Sequence, residues 1–462
     1  MFDANVYSGR RAALKKLVGN GIVLFPGNTE AAFNYPSNQY HFRQDSNFLY
    51  FFGLDHPDLA GVIDIDEDRD YIFGDDVDMD DIIWMGPQPT MKDRASEVGV
   101  SNTHPMKNLS DFLKKAISKG RNIHFTAPYR GETFMLLEEL LGIRATQIKS
   151  YVSASLTHAV VKLRSVKDEL EIAEIEKAIE TAYDMHTTVM KLAKPGIVER
   201  ELAGRIEGIS LSGGGSVSFL VILSIHGETL HNHYHGNTLT DGRMVVTDAG
   251  AETEMHYASD ITRTVPVGGK FNDRQREIYE IVLKANMEAI EKTKPGVPYR
   301  DVHLHAATVI TEGLKALGIM KGDTSQAVAN GAHALFMPHG LGHMMGLDVH
   351  DMEGLGEDLV GYDNEIKRSD QFGLAALRLG RKLLPGFVLT DEPGIYFIPE
   401  LIDRWKSENK FTEFINYEKV ENYRDFGGIR IEDDLLVTDT GCRVLGKPIP
   451  KTVAEVEQVA AG

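Results

Sequence analysis

The chain has 462 residues, 42% of them apolar and 25% charged, a balance that excludes a disordered tail, a collagen-like fibre and a small disulfide-stapled scaffold. Its 49 basic residues against 68 acidic ones leave a net charge of −19, which repels nucleic acid as a partner and leaves spare carboxylates for cations. The single cysteine, Cys442, rules out an internal disulfide or a thiolate zinc site, and no apolar run nears the ~18 residues of a membrane span.

No basic-then-apolar leader opens the chain, so a cytoplasmic protein is expected, with no membrane partner. The length suggests two domains, 1–158 and 159–462. In the first, the apolar runs Gly21–Phe25, Phe48–Phe52, Tyr71–Phe73 and Ile82–Trp84 read as strands between helical segments, giving an α/β domain. The acidic run Asp75–Asp81 reads as a solvated turn, because such runs seldom hold fixed geometry.

The second domain opens with a long helix predicted to be N-capped by Ser165, with Asp168 and Glu169 in its first turn. Ile172, Ile175, Ile179, Ala182 and Val189 keep a helical period, and Lys194-Pro195-Gly196 ends the segment. A second amphipathic helix from Asp273 ends in the same chemistry, Lys294-Pro295-Gly296, and downstream of each copy a glycine turn leads through an apolar strand to an acid. Gly242 stands to Asp248 as Gly386 stands to Glu392. The pattern predicts two α+β halves related by a pseudo-twofold, with their acidic strand ends brought together.

Each half continues to a second acid, Asp260 in Ser259-Asp260-Ile261-Thr262-Arg263 and Glu432 in Ile429-Arg430-Ile431-Glu432-Asp433. Between them lies Pro338-His339-Gly340-Leu341-Gly342-His343, followed by His350. Four inward carboxylates cannot stay ionised in an apolar sheet without cations, and two divalent ions would cancel them. Oxygen donors with one imidazole and no thiolate favour Mn²⁺, Co²⁺ or Zn²⁺. No HExxH or GxSxG string competes with this reading.

The strings Thr247-Asp248-Ala249-Gly250, Ala258-Ser259-Asp260-Ile261-Thr262-Arg263-Thr264, His339-Gly340-Leu341-Gly342-His343, Asp391-Glu392-Pro393-Gly394 and Gly428-Ile429-Arg430-Ile431-Glu432 closely resemble the proline-specific metallopeptidases of the methionine-aminopeptidase-like superfamily, aminopeptidase P and prolidase. Arg43–Gly53 resembles that family's N-terminal domain, so the resemblance covers nearly the whole chain. It implies a pita-bread catalytic domain, hydrolysis of Xaa-Pro bonds at peptide N-termini or in dipeptides, two divalent ions with manganese foremost, and a homodimer.

By the same resemblance Asp248, Asp260, His343, Glu392 and Glu432 would be the metal ligands, with Glu392 also the proton acceptor. His339 and His350 would flank the reacting carbonyl or the proline ring. A further family histidine falls on His231 by gap-free register or on His233 by local pattern, and the register favours His231, leaving His233 for substrate binding. Arg378 sits in a prolidase-like insertion, where a guanidinium can pair with a dipeptide's carboxylate, and Arg430 supports the metal site from behind. The spacing from Asp248 to Asp260 is one residue longer than the family pattern, which lengthens a hairpin turn. Two other readings stand beside this one, a metal-free creatinase-like hydrolase and a non-catalytic binding scaffold for proteins such as histones. An intact ligand set argues against both.

Overall fold

The computed structural model describes the whole chain, Met1–Gly462. Two compact units emerge, Met1–Arg164 with Met352–Gly356, and Ser165–Asp351 with Glu357–Gly462. The helix Ala154–Ser165 runs through the boundary expected at 158, so the first unit extends to Arg164.

In the first unit a five-stranded mixed sheet has the order Asn102–His104, Arg69–Phe73, Ala60–Asp64, Ile22–Pro26, Ile123–His124. Ile22, Leu24, Val62, Tyr71 and Phe73 pack on Leu109, Leu113 and Leu137, as alternation along a strand requires. Two of the runs expected as strands are helices instead, Ser46–Phe52 and Met79–Met85. Asp45 Oδ1 accepts from the amides of Asn47 and Phe48, both at 2.9 Å. Asp78 and Asp81 form a reciprocal capping box, so part of the acidic run starts a helix. These caps satisfy orphan amides, and that outweighs the strand preference of aromatic and β-branched residues.

In the second unit the first long helix is Glu169–Leu192, and its cap is Asp168 in a capping box with Glu171. Ser165 belongs to the preceding helix, a correction that follows from the better geometry of a carboxylate paired with a glutamate three residues on. The second is Asp273–Lys292, capped by Asn272 with Gln275.

The duplication is visible in hydrogen bonds. Gly196 N donates to Leu239 O at 2.9 Å and Gly296 N to Leu383 O at 2.8 Å. Leu239 N returns to Ile197 O at 2.8 Å and Leu383 N to Val297 O at 3.0 Å. Each half therefore folds as helix, Pro-Gly turn, helix, then strands. The first half's sheet sets Met244–Asp248 between Thr262–Pro266 and Ile222–Ser224. In the second, Val388–Asp391 pairs with Asp433–Val437 and Gly394–Tyr396 with Gly428–Arg430. No helix is long and apolar enough to cross a membrane.

Candidate metal centre

Strand register alone sets the four acids side by side. Asp248 is the cross-strand partner of Thr262, and Glu432 N donates to Thr262 O at 3.1 Å, which joins the two halves. Asp391 faces Asp433 and Gly394 faces Arg430 in one register, so Glu392 lies opposite Glu432. Asp248, Thr262, Glu432 and Glu392 thus form a row across neighbouring strands spaced ~4.8 Å apart, and Asp260, two residues from Thr262, shares its face. The long spacing between Asp248 and Asp260 is taken up by the turn Thr253–Tyr257, where His256 has φ 65° and its Nδ1 lies 2.8 Å from Glu252 Oε2.

His343 arrives on a segment laid along the strand Val388–Asp391. Thr390 N donates to His343 O at 3.0 Å, and Glu392 N to Leu341 O at 2.8 Å. Gly342 permits that approach, since a Cβ there would meet the Thr390 carbonyl oxygen at 2.0 Å. His343 Nδ1 donates to Met344 O at 3.1 Å, which leaves Nε2 as the lone-pair nitrogen, 3.3 Å from Asp260 Oδ2 and 3.7 Å from Glu392 Oε1.

One donor atom from each of Asp260, His343 and Glu432 lies within 4.8 Å of the other two. Glu392 flanks this trio, and Asp248 turns one oxygen to Arg430 Nη2 at 2.5 Å while its buried Oδ1 has no hydrogen-bond partner. All eleven site residues expected from the sequence, His231, His233, Asp248, Asp260, His339, His343, His350, Arg378, Glu392, Arg430 and Glu432, line a single cavity of about 670 Å³. Phe219, Leu220, Leu230 and Val349 form its apolar wall. That volume suits a short peptide.

Electrostatics single out the same cluster. Burial, reinforced by Glu432, Asp248, Asp434 and Glu392, holds the Asp260 carboxyl well above the usual range. Burial, with Glu392 and Asp248 adding to it, does the same to Glu432. Burial, opposed by Arg430 and reinforced by Asp248, pushes Glu392 up to about 7. Burial keeps His343 at about 4 and His339 at about 3, so both imidazoles are neutral at pH 7. Hard oxygen donors that repel one another, one neutral imidazole and an unpartnered buried carboxylate oxygen form a donor set that fits divalent cations.

Several supporting residues escape sequence reasoning. Arg430 Nε donates to Thr262 Oγ1 at 3.0 Å, Thr262 Oγ1 donates to Glu432 Oε2 at 2.6 Å, and Arg430 Nη1 donates to Tyr396 Oη at 2.8 Å. Tyr396 in turn donates to His339 Nε2 at 3.0 Å, since His339 Nδ1 is committed to Gly340 O at 2.7 Å. The only sequence hints were Thr262 two residues past Asp260 and Tyr396 four past Glu392.

The fully buried Glu199 was also missed. It accepts from Ser224 Oγ at 2.9 Å, Ile225 N at 2.8 Å and Asn237 Nδ2 at 2.9 Å, clamping both ends of the loop that carries His231 and His233. At that loop His233 Nδ1 faces Val221 O at 3.4 Å, whereas burial and then the nearby Arg430 lower His231. His350 packs its ring 4.2 Å from that of His343, and Arg378 Nε reaches Glu357 Oε1 at 3.1 Å.

Comparison with known proteins agrees with this geometry. Residues 173–439 match "Metallopeptidase family M24" and residues 7–124 match "Aminopeptidase P, N-terminal domain". The chain is 33% identical to the Xaa-Pro dipeptidase of Homo sapiens, covering 91% of this chain and 85% of that protein. It is 32% identical to a probable Xaa-Pro aminopeptidase of Aspergillus fumigatus, covering 91% and 88%. Among solved structures, the aminopeptidase PepP of Pseudomonas aeruginosa superposes with a TM-score of 0.82 at 28% identity, covering 100% of this chain and 98% of that one. Aminopeptidase P of Escherichia coli with the inhibitor Pro-Leu gives 0.81 at 28% identity, with the same coverage.

Proposed function

The chain belongs to metallopeptidase family M24 and hydrolyses Xaa-Pro bonds, and from that premise we propose that Asp248, Asp260, His343, Glu392 and Glu432 hold a pair of divalent cations, with manganese foremost and cobalt or zinc able to replace it. The observation that carries this reading is the row of buried acids closed by the Nε2 of a neutral imidazole. A metal-free hydrolase or a binding scaffold gives those mutually repelling carboxylates no purpose. When bound, such ions supply an activated water and polarise the scissile carbonyl.

The residues do the rest. Glu392, on the cavity wall beside His343 Nε2, takes the proton of the attacking water as a carboxylate and passes it to the departing nitrogen. His231 and His350 line the cavity, where an imidazole N–H can stabilise the carbonyl oxygen as charge builds, while His339, whose two nitrogens are held by Gly340 O and Tyr396 Oη, offers its ring to the substrate. A proline amide has no N–H to bind, so selection falls to shape, which the wall of Phe219, Leu220 and Val349 supplies. His233 lines the same cavity and is left for substrate binding.

Both dipeptides and longer peptides fall within this reading, since named relatives include Xaa-Pro dipeptidases and aminopeptidases. Arg378 favours dipeptides, because it lines the cavity with a guanidinium able to pair with a free carboxylate. The direct test is release of free proline from Gly-Pro, and of Gly from Gly-Pro-Ala, by protein stripped of metal and reconstituted with Mn²⁺. Failure of the reconstituted protein on both peptides would overturn the reading. Arg378→Ala is expected to raise KM for Gly-Pro by about tenfold, the value of a charge-assisted hydrogen bond, and KM for Gly-Pro-Ala far less. Equal effects would remove the carboxylate role. We infer a cytoplasmic homodimer from the family resemblance and the lone cysteine, and sedimentation checks the assembly.

A further inference from the structure

We propose that Lys451, on the segment leading into the C-terminal helix Val453–Ala461, is a positioning residue for the metal centre, acting from the back of the strand pair that presents Glu392 and Glu432. The inference rests on those two acids being ligands.

Alternation dictates the arrangement. If Glu392 and Glu432 point to one face, their neighbours Asp391 and Asp433 point to the other, where they are direct cross-strand partners. Two buried carboxylates so placed repel each other and would force the strands apart. Lys451 Nζ sits among their partners, 2.6 Å from Asp433 Oδ2 and 2.7 Å from Asn286 Oδ1. Asn286, thus oriented, donates Nδ2 to Asp391 Oδ2 at 2.9 Å. One ammonium therefore ties the residue after Glu432 directly, and the residue before Glu392 through one amide.

The same segment secures Arg263. Ile449 O and Pro450 O each accept from its guanidinium at 3.0 Å, leaving Nη2 to reach Asp433 Oδ1 at 2.7 Å and Nη1 to reach Glu432 O at 2.6 Å. Tyr279 Oη donates to Lys451 O at 2.8 Å and fixes the segment on the helix Asp273–Lys292. Lys451, Asn286, Asp391, Asp433, Arg263 and Tyr279 do not line the cavity, so Lys451 has no path to substrate other than through the strands it holds.

The experiment is a Mn²⁺ titration of metal-free protein by calorimetry, with Tm of each metal-free variant recorded. Lys451→Met is expected to weaken Mn²⁺ binding by about 10–100-fold, the usual effect of removing a partner behind a ligand, and to leave KM at saturating Mn²⁺ within about twofold. Binding within about twofold of wild type, even with a lowered Tm, would make Lys451 a stability residue only and overturn the proposal. Should Lys451→Met fail to fold, Lys451→Gln carries the same test, because it removes the ammonium and leaves a neutral amide in its place; unchanged affinity there is equally fatal. Glu432→Gln in the same titration separates the two readings. Wild-type affinity in that variant would sink the ligand assignment itself, whereas weak binding there beside normal binding in Lys451→Met would sink this inference alone.

Discussion

Glu392→Gln is expected to lower kcat for Gly-Pro hydrolysis by about 10³-fold or more, because it removes a general base as well as a cation donor of full charge. The substitution keeps the shape of the side chain and its backbone bond to Leu341 O, so the fold should survive, which circular dichroism and Tm would establish. The carboxylate form is the one that works. Below its pKa the carboxyl already carries a proton and cannot accept another, so wild-type activity falls as pH drops through that value. Burial sets the value at about 7, and bound cations, by favouring the ionised form, move the acid limb lower. The Gln variant should lose this limb and keep low activity at every pH. A variant holding its full complement of Mn²⁺ by elemental analysis and turning over within tenfold of wild type would show that another group accepts the proton.

How much of this could be read from residues alone divides along physical lines. The acids Asp248, Asp260, Glu392 and Glu432 were legible because each sits at a strand end in a short string of fixed chemistry, and the paired Pro-Gly turns told which strands correspond. The partners that hold them were not. Thr262, Tyr396 and Glu199 act through contacts across strands or loops far apart in sequence, and a Thr, a Tyr or a Glu in isolation carries no mark of that role. Lys451 is the extreme case, a lysine near the end of the chain whose ammonium lies 2.6 Å from a buried aspartate beside a proposed ligand. Local structure failed where a short apolar run is buried or exposed all along and so shows no period. Ser46–Phe52 is buried throughout, so no periodicity separates helix from strand, and only the Asp45 cap decides. At Met79–Met85, where no residue is buried, burial gives no period either, and the Asp78 box decides.

Asp260→Asn should reveal the cost of assembling the acids. In the metal-free protein its carboxyl is held well above the ordinary range by burial and then by Glu432, Asp248, Asp434 and Glu392. A folded-state pKa above the unfolded one means that the folded state keeps a proton the unfolded chain has released. Stability therefore falls as pH rises from the unfolded value, about 3.9, toward the folded one. At pH 7 the metal-free fold bears that penalty, and the amide removes it. The metal-free variant is thus expected to melt higher than metal-free wild type at pH 7, with the gap closing as pH is lowered past about 4. In exchange, its Mn²⁺ affinity should drop at least about tenfold and its kcat by about 10³-fold. Thermal melts of chelator-treated proteins across pH, beside the Mn²⁺ titration, measure both halves. A metal-free variant that melts lower than wild type at pH 7 would mean that Asp260 stabilises the fold, and the cation would then no longer be needed to reconcile these carboxylates.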